Sequence, residues 1–171
     1  MPIFRLTSHL YSRMIFGLGA LSGAIFGLIA IFIGVDVIMR NTAGTGISWI
    51  VEFAEYAMYA ATIFAAPWVL REGGHVSVDV LKATFPGKPA QVISILAALL
   101  GMVICGVIVY YSTIATWFAY QRSSMIYKSF TIPEWWVSVF IPLGMLLMTI
   151  EFALLASAEL SRLSINNKTK A

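Results

Sequence analysis

The sequence predicts an all-α integral membrane protein of four transmembrane helices, with both termini cytoplasmic and one membrane domain over residues 1–171. Scarce charge, long apolar runs and an uneven spread of Lys and Arg carry that expectation. Only 11% of the residues are charged, against roughly 25% in soluble domains, and the mean hydropathy is +0.87. Several apolar runs reach the roughly 20 residues that cross a hydrocarbon core of about 30 Å. In lipid every backbone donor and acceptor must be satisfied within its own segment, so such runs are helices.

The first span, about 14–35, reads MIFGLGALSGAIFGLIAIFIGV without one ionisable residue. Arg5 and Arg13 give it a basic start, but its 22 apolar residues exceed the roughly 7–15 of a signal-peptide core, so it is read as a retained anchor. The second span covers about 49–70, the third about 89–111 with a possible extension to 120, and the fourth about 133–155. Pro67 and Pro142 fall inside spans two and four, where proline is expected to kink a helix. Cys105 is the single cysteine; mid-span and without a partner, it reads as a small packing residue.

With four spans, both termini and the 71–88 loop share one side. That side carries Arg5, Arg13, Arg71, Lys82, Lys88, Arg162, Lys168 and Lys170, and the other carries Arg40, Arg122 and Lys128. The positive-inside rule then puts the termini in the cytoplasm. Trp49, Tyr110, Tyr111, Trp117, Tyr120, Trp135 and Trp136 gather toward the outer interface, as membrane-edge aromatics do. The net charge of +3 follows from this topology and is no sign of nucleic-acid binding.

The chemistry that four such helices can perform is limited by what they lack. A transporter that works alone needs ion or substrate groups near the midplane, whereas Asp36, Glu52, Glu55, Glu134 and Glu151 all lie toward span ends. A membrane cytochrome needs histidines inside the bundle as haem ligands, but His9 sits in the amino-terminal segment and His75 in a loop. No zinc-ligand spacing, Ser/His/Asp set or phosphate-binding glycine loop is present. No catalytic residue, cofactor or metal site is therefore expected, and an accessory or scaffold subunit fits best.

The polar stretch 71-REGGHVSVDVL-81 tests that reading. His75 and Asp79, four apart, would share a helix face, but two ligands without a third make a poor metal site. Gly73-Gly74 suits the end of helix two, with Arg71 at the negative helix end beside anionic headgroups. Two readings stay open for Arg71, His75 and Asp79: a purely structural cytoplasmic loop, or one that docks a partner.

At the opposite end, Glu52 and Glu55 lie three apart on helix two, with Trp49 starting the span. Carboxylates favour the positive end of a helix, yet two anions this close need a cation. Arg40 is the only cation in the preceding loop and also stands four residues after Asp36. Asp36, Arg40, Glu52 and Glu55 are accordingly expected to form an outer-edge charge cluster that ties helix one to helix two and can extend to a subunit interface.

The order Arg40, Trp49-x-x-Glu52-x-x-Glu55, Arg71-x-x-x-His75-Val-x-Val-Asp79 and Pro86 resembles the small membrane subunit of tripartite ATP-independent periplasmic (TRAP) transporters, the DctQ-like proteins. The stretch 131-TIPEWWVSVFIPLGMLLM-148 resembles that family's last helix. One departure is 64-FAAPWVL-70, where many members carry a small glycine-containing segment. The resemblance spans about Met14 to Leu155. It implies an accessory subunit of the bacterial inner membrane, bound to a large multi-span subunit that carries sodium and an organic acid. A periplasmic substrate-binding protein would deliver the acid transiently. The alternatives are an anchor or assembly subunit of a respiratory or other membrane enzyme complex, and a small homo-oligomeric exporter. Histidines within the spans would favour the first, and an acid deep in a span the second.

Overall fold

A computed structural model describes residues 2–72, 88–129 and 131–168, with side chains described at 11–72, 91–129 and 131–161. Helix α1 runs Pro2–Ala43, α2 Ser48–Arg71 and α3 Lys88–Gln121. A hairpin of β1 (Met125–Tyr127) and β2 (Thr131–Pro133) follows, then a short α4 (Glu134–Ser138) and α5 (Phe140–Lys168).

Helix α1 overruns the expected 14–35 span at both ends, because a charged side chain does not terminate a helix. At about 1.5 Å per residue its 42 residues reach roughly 60 Å, twice a hydrocarbon core. It stops at Gly44, whose φ of +68° places it in the left-handed region that closes helix ends. Asp36 then accepts a hydrogen bond from the Ile47 backbone N–H, which seats the first turn of α2 beside the end of α1.

The third helix takes the longer of its two expected limits. Its end is closed by hydrogen bonds from Ser123 N–H to the Tyr120 carbonyl and from Ser124 N–H to the Ala119 carbonyl, both 3.1 Å. That is the double-bonded helix stop usually built on glycine; here Ser123 takes the left-handed position at φ 48°. The 120–132 segment is more ordered than a plain loop: Ile126 pairs with Ile132 in an antiparallel register. The fourth apolar run breaks once, at Val139, between α4 and α5. Pro142 therefore lies in the first turn of α5, where its missing N–H disrupts no helical bond, and it is not an internal kink.

Three helices among the described residues are long and apolar enough to cross a membrane: Tyr11–Ala43, Gln91–Gln121 and Glu134–Ser161. With 24 residues α2 has the length of a span, but Glu52, Glu55 and Arg71 with its many alanines leave it less apolar than those three.

The helices pack as two antiparallel pairs, α1 with α2 and α3 with α5, joined mainly where α2 meets α5. Each joint is built on a glycine, since close backbone approach rather than hydrophobic expulsion drives association in lipid. A methyl on Gly19 would stand 2.5 Å from the Trp68 ring, joining α1 to α2. One on Gly101 would stand 2.6 Å from the Phe152 ring, joining α3 to α5. At the α2–α5 joint, a methyl on Gly144 would collide with the Ile63 side chain and come within 3.2 Å of the Ile63 carbonyl oxygen. Pro67, four residues later in a helix that continues through it, has no N–H to offer that carbonyl. The α2–α5 joint thus sets a released backbone carbonyl against bare backbone. Around it, Leu70, Ala98, Cys105, Phe152 and Ala156 form a buried cluster filled out by Met102, Met145 and Met148.

Candidate functional site

Among the described residues the charged side chains collect in two tiers at opposite ends of the helices. Segments 14–35, 56–70, 91–121 and 135–150 contain no Asp, Glu, Lys, Arg or His.

At the hairpin end, Asp36 is 5% exposed, and the structure unites it with Arg40 at 3.0 Å across one helical turn. With one oxygen on the guanidinium and the other on the Ile47 N–H, Asp36 holds the 44–47 turn. The guanidinium lies on Gly46, where a methyl would come within 2.7 Å of it.

Glu52 and Glu55 are engaged by the 125–133 hairpin. Lys128 Nζ donates to Glu55 Oε2 at 2.7 Å, and the Ser129 N–H donates to Glu52 Oε1 at 2.8 Å. The cation that meets Glu55 therefore arrives from the α3–α4 connection, 73 residues away. Lys128 also sits 5.4 Å from the centre of the Tyr56 ring. Its hydrogen bond to Glu55 raises the ammonium above its ordinary pKa. A raised lysine value means that this tether is complete at neutral pH and is lost only as the pH climbs through that value. Trp49, half exposed, packs edge-on against Phe53, which packs in turn on Phe32 of α1.

At the far end, Arg71 is not directed only toward solvent. Its guanidinium stands 3.6 Å from Glu151 Oε1 of α5 and 5.6 Å from the Tyr11 ring centre of α1. Three helices meet at this one buried carboxylate, which is 5% exposed. The sequence puts Arg71 at the end of helix two beside the headgroups and gives it no protein partner; the available signal was Glu151, a lone acid in an apolar run, which requires a partner. His75 and Asp79 lie outside the described residues. No group of three or more His, Cys, Asp or Glu able to hold a metal ion occurs among the described residues.

Such an arrangement can brace helices at both membrane edges, and it offers no Asp, Glu, Lys, Arg or His between them. In comparisons with known proteins, residues 29–162 match the family described as tripartite ATP-independent periplasmic transporters, DctQ component. No curated protein matches the chain.

Proposed function

The chain belongs to the DctQ family of TRAP-transporter components, and from that premise we propose that it is the small accessory subunit that holds a large sodium-coupled subunit in the bacterial inner membrane. In this reading the large multi-span subunit carries the organic acid that a periplasmic binding protein delivers. The present chain crosses the membrane four times, α2 joining the three more apolar helices as a span, with both termini and residues 73–87 in the cytoplasm.

The observation that carries the accessory role is the empty middle tier: four helices without one Asp, Glu, Lys, Arg or His between their charged ends. A conducting path needs such groups or unwound backbone at that depth, and α1, α2 and α3 run through it unbroken. What the chain offers instead is bracing, by glycine joints within the membrane and by ion pairs at its edges. The charge tier of Asp36, Arg40, Glu52 and Glu55 would present its exposed face to the large subunit, with Arg71, His75 and Asp79 marking the cytoplasmic contact.

Reconstitution tests the role. The purified chain alone in liposomes should take up no organic acid with or without a sodium gradient, and addition of the large subunit and binding protein should start uptake. Sodium-driven uptake by this chain alone would overturn the proposal. Topology is tested separately by a cysteine at Ser77, with Cys105 replaced by Ala. It should react with an impermeant maleimide only after the cells are opened; labelling of intact spheroplasts would reverse the orientation.

A further inference from the structure

We propose that the membrane edge shared by α3 and α5 binds one phospholipid, with its acyl chains in an apolar groove and its phosphate at Arg122. The groove has a volume of about 850 Å³ and lies between Trp117 and Tyr120 of α3 and Trp135, Pro142 and Leu143 of α4 and α5. Trp117, Tyr120 and Leu143 are each about half exposed, so the chain itself leaves this surface uncovered.

Three observations select the occupant. A second pocket of about 350 Å³ continues the first, sharing Tyr120 and Trp135 but walled by Gln121 and Ser123. Met125 and Pro133 complete its lining, so the apolar groove leads into a smaller space of mixed character that can hold the glycerol end of a lipid. Arg122 is exposed, and its guanidinium rests 5.8 Å from the centre of the Phe118 ring, itself a wall of the apolar groove. Among the described residues that guanidinium meets no carboxylate, so a cation rests on a ring of the groove wall without an acid to pair with. Lastly, Tyr120 contacts both Trp117 and Trp135, and Trp135 contacts Trp136. Such an aromatic run settles at headgroup depth, which aligns the compartment boundary with the phosphate layer. A neighbouring protein helix would match the apolar groove but would give no reason for a cation without an acid beside its wall.

The inference needs only that α3 and α5 cross the membrane. It is independent of orientation and of any partner subunit, so its failure is separable from failure of the accessory role. The test is tryptophan quenching of the detergent-solubilised chain by dibrominated phosphatidylglycerol. Saturation at one lipid per chain is expected. Arg122→Gln should weaken binding about fivefold, the factor one basic side chain supplies at a charged membrane surface, and Arg122→Lys should largely restore it. Dibrominated diacylglycerol, which lacks the phosphate, should bind about fivefold more weakly than the phospholipid to the wild type. Circular dichroism would confirm that the variants, changed at an exposed position, keep their helices. Quenching that rises without saturation, or is equal for wild type and Arg122→Gln, or is equal for the two lipids, would overturn the site.

Discussion

Gly144→Leu is expected to pull the two helix pairs apart and to abolish assembly of the transporter. The side chain would enter space already held by Ile63, and the Ile63 carbonyl oxygen, 3.2 Å from a methyl at position 144, cannot change rotamer to make room. Overpacking a core costs about 1–3 kcal/mol, occasionally more. Because backbone is the obstacle here, the upper end applies, about 3 kcal/mol. Gly106→Leu on α3, where a methyl meets nothing within 4 Å, should be nearly neutral. Thermal unfolding followed by fluorescence, with size-exclusion profiles of the two variants, would decide the point. Equal stability of Gly144→Leu and wild type would mean that α2 and α5 are not held where the structure puts them.

Removing the guanidinium that faces Glu151 should be the next most damaging change. Arg71→Ala leaves a carboxylate that is 5% exposed without its cation. Breaking a buried pair from one side costs about 3–5 kcal/mol, whereas replacing both partners by apolar groups is often close to neutral. Arg71 keeps 32% of its side chain exposed, so about 3 kcal/mol is the expected cost. Arg71→Leu combined with Glu151→Leu should recover most of it. A double-mutant cycle on thermal stability measures the coupling; strictly additive single effects would show that the pair does not brace the helices.

How far the sequence discloses this protein depends on what makes each feature. The long helices were legible because apolar runs of membrane length leave the backbone no other solution. Their limits were not: Arg13 and Asp36 look like boundaries, but α1 continues past both until Gly44 turns the chain. The 125–133 hairpin escaped because strands of three residues, Met-Ile-Tyr and Thr-Ile-Pro, are too short to show an alternation. Its consequence escaped with it, since Glu55 and Lys128 are 73 residues apart and no local spacing connects them. The Asp36–Arg40 pair was readable as neighbours on one helical turn. The meeting of Tyr11, Arg71 and Glu151 depends on how α1, α2 and α5 are juxtaposed, which only the glycine joints decide.

In the proposed role this chain is the supporting half of a membrane pair. Tagged protein extracted from its native membrane in mild detergent and eluted under wild-type expression tests it most directly, by mass spectrometry of the eluate. A large multi-span transporter subunit in near-equal amount is expected. Elution of the chain with only itself, or with the subunits of an oxidoreductase, would contradict it.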